Sequence, residues 1–161
     1  MSPRRATTED ARSLTDLHLD VWDEAYADLL PHALLAARRA EREDRVQRWE
    51  NNLGAHGRTT WVVDDPERPG RLIGFATGGP RRDDDAALPE RELWACYVRA
   101  EVYGTGAGAA LLLAAIGTAP AYLWVLAGNG RAIRFYEKQG FARDGATQDA
   151  FERVELRMVR R

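Results

Sequence analysis

Cysteine is nearly absent from this chain: Cys96 is the only one in 161 residues. An internal disulfide is therefore excluded, and the composition suits a reducing compartment. Long apolar runs are missing too; nothing approaches the ~20 residues a helix needs to cross a bilayer. Neither sign of charge dominates, since 23 Lys and Arg stand against 25 Asp and Glu. That balance leaves no overall basic footprint, so neither nucleic acid nor a membrane is an expected partner. The histidines, His18, His32 and His56, lie far apart. No cysteine or carboxylate flanks them at metal-ligand spacing, and no metal is expected. The opening MSPRRATTED lacks the apolar core of a signal peptide, which makes the cytoplasm the expected location. What the chain does have, 45% hydrophobic and 30% charged residues, is enough for one domain over 1–161.

Arg4 to Ala6 reads as a short first strand. Thr7 reads as a helix N-cap, with Asp10 placed as in a capping box. Ala11, Leu14, Leu17, Val21 and Ala25 follow at helical spacing, and Pro31 marks a break. A second helix carries Leu35, Val46, Trp49 and Leu53 on one stripe. That stripe also passes through Arg39 and Arg42, whose stems are expected to snorkel past the core, facing a polar cavity being the alternative. Glu41 with Arg45 and Asp44 with Arg48 form i,i+4 pairs on its solvated face. Strands are expected over 59–64, 71–77 and 92–98, with "GGPRRDDDAALPE" as a loop before the third. An apolar helix over 106–116, a buried strand over 122–127, a helix over 129–139 and strands over 141–147 and 154–159 complete the chain.

The order is β-α-α-β-β-β-α-β-α-β-β: an α/β (α+β) fold with a mixed sheet. At its centre lies a right-handed βαβ crossover joining parallel strands. The loops following those two strands lie at carboxyl ends, where open α/β sheets bind ligands.

One of these loops is "VYGTGAGAAL", with Gly104, Gly106 and Gly108 at alternate positions. A dinucleotide fingerprint needs an acidic residue about 20 positions on; "VLAGNG" holds none. A P-loop needs Gly-Lys-Ser/Thr, which does not follow. The surviving physics is general: glycines let backbone N–H groups converge at a helix N-terminus, which suits a pyrophosphate. A ligand-free tight turn is the alternative.

The second loop leads into "YLWVLAGNGRAIRFYEKQGF". Together the two segments resemble the GNAT superfamily of N-acetyltransferases, which use acetyl-coenzyme A. In that family an Arg/Gln-x-x-Gly-x-Gly/Ala loop cradles the coenzyme A pyrophosphate. An Asn-x-x-Ala-x-x-Phe-Tyr-x-x-x-Gly-Phe element follows the next strand. Asn129, Ala132, Phe135, Tyr136, Gly140 and Phe141 occupy every fixed position of that element. "ELWACYV" is similar to the family's central splayed strand, and the opening of the chain to its first strand and helix. Tyr103 departs from the usual Arg or Gln at the head of the loop.

The resemblance implies a GNAT-like fold and acetyl transfer from acetyl-CoA to a primary amine, without a metal. Tyr103, Gly104, Thr105, Gly106, Ala107, Gly108 and Ala109 would hold the pyrophosphate. Cys96, Tyr97 and Val98 would offer backbone groups to the pantetheine arm and the acetyl carbonyl. Asn129 would reach the coenzyme arm, cap the following helix, or do both. Tyr136 is the candidate general acid, although packing beside Phe135 needs no hydroxyl. Glu92, expected in phase with Trp94, Cys96 and Val98, is the candidate base, or a strand-end glutamate. Cys96 reads as a buried thiol rather than an acylated nucleophile. Trp22 and Tyr26 could line an acceptor cavity or pack in the core, and Asp83, Asp84 and Asp85 could draw in a cationic amine or be a solvated loop. Relatives of this kind often pair, which admits a homodimer. A catalytically idle acyl-coenzyme A sensor is the alternative function.

Overall fold

The computed structural model describes residues 1–55 and 57–161; His56 lies outside the described residues. The elements run β1 (Arg4–Arg5), α1 (Ala11–Tyr26), α2 (His32–Ala40), α3 (Arg42–Asn52), β2 (Thr59–Asp64), β3 (Leu72–Pro80) and β4 (Arg91–Val98). The chain continues through α4 (Ala107–Ile116), β5 (Ala121–Leu126), α5 (Gly130–Lys138), β6 (Ala142–Ala150) and β7 (Arg153–Arg160). The strands form one sheet in the order β1-β2-β3-β4-β5-β7-β6. Only β4 and β5 pair in parallel, joined through α4, and the other neighbours are antiparallel. The expected mixed sheet and central crossover are therefore present.

Two apolar clusters sandwich the sheet. On one face, Leu111, Leu112, Ala115 and Ile133 of α4 and α5 cover Ile73, Leu93, Leu123 and Val125. On the other, Leu14, Leu17, Val21 and Trp22 of α1 cover Val62, Leu72 and Phe75. The capping-box expectation holds: the Thr7 N–H donates to the Asp10 carboxylate at 2.8 Å. It starts a short 3-10 turn, Thr8–Asp10, that leads into α1.

The structure departs from the sequence pattern in five places. The second helix is two: the backbone turns at Glu41 (φ −90°, ψ 21°) and separates α2 from α3. Arg39 and Arg42 do not snorkel. They reach the acids of α1 instead, Arg39 to Asp20 and Asp23 and Arg42 to Asp16, at 2.6–2.9 Å. Arg48 leans toward Glu41 at 3.7 Å, not toward Asp44.

In addition, β3 continues through Gly78, Gly79 and Pro80, which read as loop. A Cβ on Gly78 would run into the Ala115 carbonyl and one on Gly79 would lie 2.7 Å from the Trp94 ring. Glycine here serves close packing rather than a turn. Lastly, the register of β3 against β4 slips between Thr77 and Gly78, so Thr77 pairs Ala95 while Gly78 pairs Leu93. Trp94 is the extra residue of a β-bulge.

Candidate active site

The bulge sets which side chain points where. Leu93, Cys96 and Val98 face α4 and α5, whereas Ala95 and Tyr97 face α1. Glu92 pairs Tyr122 across the sheet and shares its face. Glu92 is thus in phase with Ala95 and Tyr97, not with Cys96 and Val98: the extra residue inverts the alternation.

β4 and β5 pair only at Glu92–Tyr122 and Leu93–Leu123. Beyond Leu93 they diverge, leaving the β5 side of residues 94–98 without a strand partner. A cavity of about 580 Å³ opens in this wedge. Its walls include Cys96, Tyr97 and Val98 of β4, Tyr26 of α1, Asn129 and Tyr136, and Tyr103, Gly104, Gly106, Gly108 and Ala109 of the loop. Of the expected coenzyme residues, Thr105 and Ala107 do not line it. Thr105 Oγ1 donates to the Val102 carbonyl at 2.8 Å and Ala107 is buried.

Gly104 (φ 78°) and Gly106 (φ 90°) adopt the left-handed conformation, which an L side chain resists by about 1–2 kcal/mol. Gly106 is the N-cap of α4, so the free N–H groups of the first turn and the positive end of the helix dipole point at the cavity rim. The guanidinium of Arg131 lies 3.8 Å from the Tyr103 ring centroid. Arg131, Arg134 and Lys138 of α5 also line the cavity. Basic side chains thus line the same cavity as the glycine loop, opposite a tyrosine at position 103. Sequence reasoning passed over Arg131 because nothing in its spacing links it to the glycine loop.

Asn129 caps α5, its side-chain oxygen accepting from the Ala132 N–H at 3.2 Å. Tyr136 is 8% exposed, and among the described residues no hydrogen bond engages its hydroxyl. Burial pushes that phenol well above its ordinary range. The Cys96 thiol, close to the Gly108 carbonyl at 3.9 Å, is pushed by burial up to about 12. It is protonated at neutral pH and unfit to be a nucleophile.

Tyr26 and Tyr97 share a hydrogen bond, hydroxyl to hydroxyl, at 3.0 Å, and burial raises both. Trp22 sits one turn behind Tyr26, its ring centroid 4.9 Å from that of Tyr26. It is covered edge-on by Phe151 at 5.2 Å, and the Arg38 guanidinium lies 3.5 Å from its ring centroid. Tyr26 is thus a cavity wall and Trp22 its backing.

Glu92 is 2% exposed and its carboxylate is heavily engaged. Arg82 grips it at 2.6 and 3.1 Å, the Arg82 backbone N–H donates at 3.1 Å and the Tyr122 hydroxyl at 2.8 Å. Three of these donors converge on Oε2, so Oε1 retains acceptor capacity. The acidic run beside it is partly paired: Asp83 and Asp85 bind Arg157 at 3.2 and 3.0 Å, Arg157 also holds Asp144, and Asp84 is exposed.

These features, a splayed parallel pair with a glycine loop at the adjoining helix N-terminus, have a known counterpart. The sequence profile of the acetyltransferase (GNAT) family matches residues 15–141. The chain belongs to that family. It is 29% identical over 162 residues to the uncharacterized N-acetyltransferase YuaI of Bacillus subtilis (strain 168), spanning 96% of this chain and 87% of YuaI. Solved structures share its fold. The PaiA N-acetyltransferase of Thermoplasma acidophilum, in complex with coenzyme A, aligns with a TM-score of 0.75 at 20% identity, over 99% of this chain and 98% of that one. A histone acetyltransferase HPA2-related protein of Corynebacterium glutamicum aligns at 0.70 and 21% identity, over 99% and 94% of the two chains. The protein is accordingly an acyltransferase of the GNAT family, with the fold these structures share. Among the described residues, no helix is long and apolar enough to cross a membrane.

Proposed function

We propose that the protein moves the acetyl group of acetyl-CoA directly onto a primary amine within a ternary complex. The observation that carries this reading is the wedge itself. One cavity brings together an unpaired strand edge, a left-handed glycine loop at a helix N-terminus, basic side chains and a free tyrosine hydroxyl.

The pyrophosphate would rest on the N–H groups opening α4, with Arg131 in place of the charge that Tyr103 lacks. The pantetheine arm would lie along residues 96–98, beside Asn129. A backbone N–H of this edge would steady the oxyanion formed when the amine attacks the thioester carbonyl, an effect of about 3 kcal/mol at comparable acyl-transfer sites. Tyr136 would protonate the departing thiolate. Its burial makes the phenol a weaker acid, but the same burial makes the thiolate a stronger base, so the two changes offset in part. The attacking amine must shed a proton, and Glu92 would accept it through Oε1 by way of water. Direct transfer fits the protonated state of Cys96.

Free-thiol release on mixing acetyl-CoA with a panel of amines tests the proposal. Amine-dependent release that Tyr136→Phe strongly lowers is the expected result. Tight binding of acetyl-CoA with no release would make the protein an acyl-coenzyme A sensor instead.

A further inference from the structure

On the α1 side of β4 lies a second cavity, of about 260 Å³, which neither the glycine loop nor Tyr136 reaches. His18 of α1, Arg45 and Arg48 of α3, Arg58 before β2, and Arg82 and Trp94 line it. Among the described residues its wall thus contains four arginines and no aspartate or glutamate.

The charges in this wall are poorly compensated. Glu41 touches Arg45 and Arg48 loosely, at 3.4 and 3.7 Å, from an exposed position, and Glu92 is committed to Arg82. Two carboxylates for four guanidinium groups leave a surplus of positive charge. Arg58 and Arg82 both lie over the Trp94 ring, at 5.0 and 4.4 Å from its centroid. Arg58 Nε is buried and without a hydrogen-bond partner among the described residues, as are Nε and Nη2 of the neighbouring Arg38. Burial first, and mutual repulsion second, loosens the proton hold of Arg38, Arg45 and Arg58. Arg45 Nε donates to the Arg38 carbonyl at 3.0 Å, but the buried Arg58 Nε has no acceptor among the described residues, and the planar fork of arginine matches carboxylate and phosphoryl oxygens.

The two cavities meet at Arg82, Trp94 and Ala95. A molecule anchored in the smaller one therefore extends toward the strand edge where the acetyl carbonyl would lie. The geometry points to a small primary amine bearing an anionic group, carboxylate or phosphoryl, as the acceptor, with that group held by Arg45, Arg48 and Arg58. This inference rests on the acetyl-transfer reading above. It is the opposite of recruiting a cationic amine through the acidic loop, where Asp83 and Asp85 already bind Arg157.

The test is thiol release at saturating acetyl-CoA with matched acceptors: glycine against glycinamide, phosphoethanolamine against ethanolamine, and spermidine as the cationic extreme. The anionic member of at least one pair should exceed its neutral partner about tenfold or more in kcat/KM. The pair that responds identifies carboxylate or phosphoryl. Arg58→Gln, and separately Arg48→Gln, should raise KM for that acceptor and collapse the ratio, leaving acetyl-CoA affinity unchanged. Turnover with equal or reversed preference overturns this inference while the acetyltransferase reading stands. If no amine is turned over, that reading fails instead, and the cavity is probed directly. Inorganic phosphate and acetate, titrated with coenzyme A present, should saturably change the fluorescence of Trp49 and Trp94 in the unsubstituted protein but not in Arg58→Gln. Identical responses in the two proteins would overturn the anion site.

Discussion

The two faces of β4 are built by different means. On the α4 side the site is framed by backbone, a glycine loop, a helix N-terminus and a strand edge without its neighbour, to which α5 adds Tyr136 and basic side chains. On the α1 side it is made of side chains drawn from α1, α3, β4 and the loops before β2 and β4. A backbone site must use particular residues at fixed spacing, because only glycine adopts the required angles cheaply. A side-chain site can be assembled from any segments that the fold brings together. The first kind leaves a motif in the sequence, and the second leaves only scattered arginines.

The strongest way to probe this contrast is Tyr136→Phe, the one donor-side change that removes a functional atom and little packing. Turnover should fall by about 10²–10⁴-fold, with acetyl-CoA affinity within about twofold by calorimetry. Unchanged turnover would remove Tyr136 from the acid role.

Gly106→Val tests the backbone half directly. A β-branched residue at φ 90° should weaken acetyl-CoA binding by about 10- to 100-fold through strain in the loop. Near-normal affinity would mean that the coenzyme does not depend on this turn.

Glu92→Gln addresses the border between the two faces. It should destabilise the protein by about 1–3 kcal/mol in chemical denaturation, because Arg82 and Tyr122 lose a charged acceptor. The acid limb of the pH–rate profile should shift toward alkaline pH. An unmoved profile would assign Glu92 to positioning alone.

His18 reports on the acceptor face. Burial, then the charges of Arg38 and Arg45, lower its pKa from 6.5 to about 3. Above pH 6.5 folded and unfolded chains both carry it neutral. As pH falls from 6.5 toward 3, only the unfolded chain gains the proton. Stability should therefore decline by up to about 1.4 kcal/mol per pH unit, and His18→Phe should remove that contribution.

The smallest effect is expected at Asp84, exposed on the loop whose neighbours are already paired. Asp84→Asn should leave stability within about 0.5 kcal/mol and acceptor KM within about twofold. A larger rise in KM would return the acidic loop to acceptor recognition.

Legibility followed the same division. The parallel crossover, the N-cap role of Asn129 and the glycine loop were visible because each demands local residue types. The break at Glu41 was not, because both helices keep one apolar stripe through it. The Trp94 bulge was hidden as well. Alternation across "ELWACYV" looks regular, and only the register against β3 shows the extra residue that turns Glu92 to the other face. Arg38 sits one residue from the arginine that the helical stripe drew attention to. Its burial against Trp22 depends on how α2 packs on α1, which no local pattern encodes. Gly78 and Gly79 misled in the opposite sense: glycine chosen for close packing carries the same letter as glycine chosen for a turn.

The most direct test of the central claim is calorimetric titration of the purified protein with acetyl-CoA, with NADH as the comparison. Micromolar, one-to-one binding of acetyl-CoA and none of NADH is the predicted result. No heat with acetyl-CoA, or equal binding of the two, would mean that the wedge between β4 and β5 does not hold a coenzyme A pyrophosphate, and the account would fail at its base.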